Sequence, residues 1–374
     1  MSALPAPAAL AARMPLVDAL KALASQVIVL HHRAIYGPLS DLARPWAGPA
    51  IDALDTYGRY AVQVFLVIAG FLAARSFAPD GRSRVHAPLP LIGRRWVRLA
   101  GPYIVAIIVS VVVAGFARGL ATHASIPEAP TPAQFIANLA MLQDVLGEEA
   151  LSAGAWYVAI DLQLYALFAL MMALAARSDA RGIAQALVVT ATVASLLAFN
   201  RDPAWDVWAP YYFGSYGLGV LAAWSAQAPR PRVAAIAIAV LGALALWVEF
   251  RSRIALATTV ALLLAWTDVN GLLRRWPDSR LIGWLGRISF SVFLIHYPVV
   301  VLFDAIAARW LGGQPLVEAL TLGLAFISCT AAGALFHRYV ETPLAPRPAP
   351  RRAPMPADPH DAGEPTRPME VPRG

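Results

Sequence analysis

Apolar runs, separated by short clusters of arginine, proline or acidic residues, follow one another from about residue 16 to residue 341. Several approach or exceed the roughly 20 residues that an α-helix needs to cross a bilayer core. The pattern predicts helices at 16–36, 58–77, 96–118, 153–176, 183–199, 207–226, 232–250, 254–268, 284–310 and 316–341. The run at 254–268 is the shortest. A further apolar stretch, 134–146, is too short to span alone and sits beside Asp144, Glu148 and Glu149, so it is expected at the interface. The expected fold is all-α, a polytopic membrane bundle of about ten transmembrane helices.

Composition agrees. Hydrophobic residues make up 59% of the 374 and charged residues 14%, with a mean hydropathy of +0.59. A soluble domain carries roughly 25% charged residues, so too little polar surface is present to cover a globule of this size in water. The net charge of +7 raises the question of a nucleic-acid partner. The arginines, however, sit in short clusters between apolar runs, as the positive-inside rule predicts. The charge therefore points to membrane lipid as the partner and away from nucleic acid.

The same rule orients the chain. With the N-terminus inside, Arg75, Arg82, Arg84, Arg94, Arg95 and Arg98 fall on the cytoplasmic side, as do later clusters around Arg177, Arg230 and Arg274. The opposite side receives scattered single arginines, Arg251 and Arg253 being the exception, and residues 119–152 hold no Lys or Arg. Both termini are expected in the cytoplasm. Three segments follow: an N-terminal cytoplasmic piece, 1–15; a membrane domain, 16–341; and a Pro-rich polar tail, 342–374, expected to be disordered. The single cysteine, Cys329, leaves no internal disulfide and no cysteine cluster for a metal, and no metal is expected.

Ionisable groups inside membrane spans are costly and default to functional hypotheses. Lys21, the only lysine, and His32 are 11 positions apart, which returns to within about 20° of one helix face and separates them by about 16 Å. His31 lies about 80° off that face. Asp18 is placed to pair with Lys21. In the third predicted helix, Arg98 lies three and four residues after Arg95 and Arg94, so all three can face one site. In the fourth, Tyr157, Asp161 and Tyr165 share a face, next to Trp156. His296 precedes Pro298 in the ninth, and Glu341 ends the last. Each has a plainer reading: Lys21 snorkelling to the interface, the arginines anchoring topology, Asp161 and His296 stapling helices. No phosphate loop, GxSxG, HExxH or dinucleotide fingerprint competes.

Taken in order, these residues resemble the acyltransferase 3 family of membrane acyltransferases. The family's opening D-x-L-R and following histidine are matched by Asp18, Leu20, Lys21 and His32, and its second-helix pattern by Val64–Leu72. Arg94, Arg95, Arg98, Pro102 and Tyr103 match its arginine-rich third helix. Trp156, Tyr157, Asp161 and Tyr165 match the next signature, ISFSVFLIHYP the histidine signature, and Glu341 and Pro343 the terminal E-x-P. The match runs collinearly from about 16 to 345. Lys21 stands where Arg is usual and loses the bidentate fork. Asp161 stands for Glu, and Ala69 for a Ser, so no hydroxyl role carries over to it.

The resemblance implies an acetyl-CoA-dependent O-acetyltransferase of the bacterial inner membrane. Its acceptor would be a polysaccharide or lipid-linked oligosaccharide, most like that of the xanthan-type exopolysaccharide acetyltransferases. His32 is expected to be the catalytic histidine, either as direct base or through an acyl-histidine intermediate, with Asp161 and His296 at the same catalytic site. Lys21, Arg94, Arg95 and Arg98 are assigned to the phosphates of the acyl-CoA, and Asp18, His31, Trp156, Tyr157, Tyr165 and Glu341 to support. Alternatives are a different acyl group or a small-molecule acceptor, and a non-enzymatic transporter or flippase using Lys21 and His32 as a proton relay.

Overall fold

The computed structural model describes residues 13–36, 38–122, 126–178, 182–310 and 315–345. All regular structure among them is helical. The long elements are α1 (Pro15–Ile35), α2 (Pro38–Tyr57), α3 (Val62–Phe77) and α4 (Pro88–Leu120), then, after the short α5 (Pro132–Leu139) and α6 (Gln143–Leu146), α7 (Ala155–Ala175), α8 (Ile183–Leu197), α9 (Ala209–Ser225), α10 (Pro231–Val248), α11 (Ser252–Val269), α12 (Arg280–Trp310) and α13 (Pro315–Phe336).

Eight of the described helices are long and apolar enough to cross a membrane. The two remaining predicted positions hold α1 and α9, which fall short for different reasons. α1 is interrupted by Asp18, Lys21, Gln26 and two histidines, and α9 has only 17 residues. Both are screened by other helices, where apolarity toward lipid matters less. α10 shows the opposite character: Ile236, Val240 and Trp247 are exposed, as suits a lipid-facing surface.

Small residues set the close approaches. A Cβ on Gly70 of α3 would lie 1.9 Å from the Tyr216 carbonyl oxygen, and one on Gly219 of α9 would lie 2.0 Å from that of Val67. Only glycine at both positions lets these backbones touch, the packing favoured where lipid removes the hydrophobic drive between helices. Gly286 does the same for α12 against the Asp18 backbone of α1.

The structure corrects several boundaries. Residues 38–57, expected as a connection because they hold three prolines, Arg44 and three aspartates, form α2, broken by non-helical backbone at Ala47. The third predicted helix starts at Pro88, eight residues early, because Pro is well suited to the first helical turn. The interfacial stretch 134–146 is two short helices, α5 and α6. The last helix continues through a π-turn at His337–Glu341 to Leu344, so the first residues assigned to the tail are helical. Residues 346–374 and 1–12, the rest of the tail and most of the N-terminal piece, lie outside the described residues.

Candidate active site

At the end of the bundle where α4 and α12 begin, a cavity of about 750 Å³ enters between α1, α3, α4, α7 and α12. Exposed Arg94, Arg98 and Arg287 stand at its mouth, with Lys21 and Glu341 on its walls. Lys21 pairs with Asp18 at 3.8 Å, and Asp18 also accepts from Arg13. Glu341 accepts hydrogen bonds from the Ser291 hydroxyl and from His337 (3.0 Å), so the terminal π-turn is tied to α12. Such turns recur at functional sites. Ala69 lines the cavity on α3, where a serine would have placed a hydroxyl.

Deeper in, Arg95 donates through Nε (3.2 Å) and Nη2 to one oxygen of Asp161, while its guanidinium lies over the Tyr165 ring at 5.3 Å. Asp161 is only 4% exposed. A bare carboxylate there would be costly, and the ion pair answers that cost. The carboxylate thus meets an arginine rather than a histidine.

The floor of the cavity is aromatic. Phe65 of α3, Tyr157 of α7 and Phe293 of α12 are mutually in contact, with ring centroids 5.9, 6.1 and 5.1 Å apart. Neither His32 nor His296 lines the cavity. They lie beside the floor, Phe293 being one turn before His296 with ring centroids 6.2 Å apart. Of the three residues expected to share one cavity, Asp161 lines it, while His32 and His296 pair with each other beside Phe293.

The two histidines, 264 residues apart, meet directly. His32 Nδ1 lies 2.7 Å from His296 Nε2, and the rings stack at 4.9 Å. Their protonation follows from the partners. His296 Nδ1 faces the Phe293 carbonyl at 2.8 Å, which only accepts, so this nitrogen carries the proton. In the neutral ring Nε2 is then an acceptor, and His32 donates to it through Nδ1–H. His32 Nε2 is left with its lone pair. This is the arrangement a general base needs, with a third group fixing its tautomer. Pro298 lies two residues after His296 on the same helix. The proline removes the partner of the Leu294 carbonyl, whereas the carbonyl that holds His296 is that of Phe293.

His31 points elsewhere: it is buried, its Nδ1 2.8 Å from the Leu54 carbonyl of α2. Trp156 packs on Tyr157 and Tyr212 and does not line the cavity. Two groups escaped the sequence reading. Arg287 reads as one more helix-end arginine. Arg33, beside His32, pairs with Asp304 of α12 at 3.2 Å with exposures of 2% and 1%, and only its position inside a hydrophobic run hinted at this. Cys329 is buried against the His296 carbonyl, as packing predicts. No group of three or more metal-binding side chains occurs among the described residues.

Comparison with known proteins bears on this geometry. No curated protein and no solved structure matches the chain. The model of the acyltransferase 3 family, described as an acyltransferase domain, matches residues 15–338, which run from α1 into the terminal π-turn and contain the ion pair, both histidines and all of the cavity lining except Glu341, Thr342 and Ala345. The chain belongs to the acyltransferase 3 family, a family of membrane acyltransferases.

Proposed function

We propose that this protein transfers an acetyl group from acetyl-CoA to a hydroxyl of a bacterial exopolysaccharide or its lipid-linked precursor, in the inner membrane with both termini in the cytoplasm. The observation that carries the reading is the pairing of two features in one bundle: a cavity mouthed by arginines, and beside its aromatic lining a histidine pair that leaves His32 Nε2 free of a hydrogen bond among the described residues. Exposed Arg94, Arg98 and Arg287, with Lys21, supply the several positive donors that phosphate groups require. On the positive-inside orientation this mouth faces the cytoplasm, where acyl-CoA is made.

The chemistry follows from the histidine pair. His32 Nε2 takes the proton of the acceptor hydroxyl as its oxygen attacks the thioester carbonyl. The carbon–oxygen bond forms, the carbon–sulfur bond breaks, and the proton passes from His32 to the departing thiolate, giving the ester and free CoA. An imidazole with a free lone pair can take the hydroxyl proton and pass it on, acting in turn as general base and general acid. His296 holds the tautomer, and Arg95 with Asp161 shapes the cavity wall. Tyr36, stacked on His32 at 5.7 Å and in edge contact with Tyr297, lies toward the opposite end, from which the acceptor would come. The xanthan-type subfamily is the reading for the acceptor, resting on the stretch from Ser25 to Asp41.

The test is direct. Purified protein in liposomes, given acetyl-CoA labelled in the acetyl group and deacetylated polysaccharide or lipid-linked oligosaccharide, should place label on the saccharide. Label on neither, with acetyl-CoA intact, would remove the reading.

A further inference from the structure

The rings of Phe65, Tyr157 and Phe293 line the cavity that opens at the arginine mouth, and Phe293 is the one of them in ring contact with His296, the partner of His32. Each pair of these rings is in packing contact, with centroid spacings between 5.1 and 6.1 Å within the normal range for touching aromatics. The three rings line the cavity, neither histidine does, and the His296 ring lies 6.2 Å from that of Phe293. The rings come from three helices, and no hydrogen bond of a phenylalanine locks its position. The geometry points to this three-ring floor as the aperture through which the acyl group is threaded, and so as the element that sets which acyl groups are accepted. The inference rests on the acyl-CoA reading above and deepens it: the substrate class is a short, uncharged acyl group, such as acetyl.

Gly154, at the residue before α7, sets how far Phe293 can lean. A Cβ there would lie 2.8 Å from the ring's Cε1 and 3.2 Å from Cζ. The ring lies against the bare glycine backbone, and a side chain at 154 would require Phe293 to shift. The Phe293 backbone carbonyl also fixes the His296 tautomer. A change of the Phe293 side chain leaves that carbonyl in place, so aperture and proton chemistry can be altered separately. Charged or long acyl groups meet a floor with no polar group other than the Tyr157 hydroxyl, and each added methylene needs space that the closed rings deny.

The experiment compares acetyl-CoA with butyryl-CoA as donors for the full-length protein and its Phe293→Leu and Phe65→Leu variants. The readouts are kcat/KM for each donor and the affinity for free CoA. Hydrophobic pockets discriminate single methylenes by about 10- to 200-fold. Opening the floor should therefore raise the butyryl-to-acetyl ratio at least about tenfold in each variant, while free-CoA affinity, set at the mouth, stays within about twofold. Phe65 touches neither histidine, so its variant decides the matter should Phe293→Leu fail to fold. Wild-type ratios in variants that bind CoA normally would overturn this inference alone. A wild-type protein that uses no acyl-CoA at all would overturn the donor reading and this inference together.

Discussion

Removing Arg95 alone should cost more than removing Arg95 and Asp161 together. Asp161 is 4% exposed and takes two guanidinium hydrogen bonds on one oxygen. In Arg95→Leu that carboxylate is stranded in an apolar wall, a loss of about 3–5 kcal/mol. In Asp161→Asn the arginine keeps alternatives, because its side chain is 26% exposed to the cavity and its guanidinium already lies over Tyr165. The cost there should sit at the low end, about 1–3 kcal/mol. The double variant Arg95→Leu/Asp161→Asn leaves no buried charge and should cost less than Arg95→Leu alone, about 2 kcal/mol, so that single losses of about 4 and about 1 kcal/mol give a coupling of about 3 kcal/mol. The assay is thermal unfolding in detergent, in which a loss of that size lowers the midpoint on the order of 5–10 °C. Strictly additive losses would refute the reasoning, since they would mean that the two side chains do not depend on each other.

Three further outcomes follow from the same geometry. Gly219→Ala should collapse the yield of folded protein, because its Cβ would lie 2.0 Å from the Val67 carbonyl and force α9 off α3; size-exclusion profiles in detergent check this. Arg98→Ala should weaken acetyl-CoA binding by about tenfold, the worth of one charge-assisted contact of about 1.5 kcal/mol, with yield unchanged because the side chain is exposed at the cavity mouth; calorimetric titration decides it. His296→Ala should lower kcat by at least about 10²-fold through loss of the His32 tautomer, with acetyl-CoA binding intact, since His296 lies outside the cavity.

The helical bundle was legible because a bilayer demands long apolar runs and hydropathy reports them directly. Even α1 and α9, too polar or too short on length and apolarity alone, were found from their place in the alternation of runs and charge clusters. α2 was not, because three prolines and its charges read as a connection. In the site, side chains that share one helix were legible: Arg94, Arg95 and Arg98 on α4, Tyr157, Asp161 and Tyr165 on α7. Contacts between helices were not. Nothing in the sequence says that His32 meets His296, that Asp161 finds Arg95, or that Arg33, which looks like a helix-end anchor, is buried against Asp304. The aromatic floor was hidden for the same reason, since a phenylalanine in an apolar run carries no mark of which neighbour it faces.

The central claim is that His32, through its bare Nε2, is the base of acyl transfer. Acetyl transfer to the saccharide by reconstituted His32→Ala and His31→Ala protein, with acetyl-CoA affinity measured on the same samples, tests it most directly. His32→Ala should bind acetyl-CoA normally and transfer nothing above background, while His31→Ala, whose Nδ1 bonds the Leu54 carbonyl, should keep most of its activity. Transfer by His32→Ala at the wild-type rate, with its loss in His31→Ala, would contradict it.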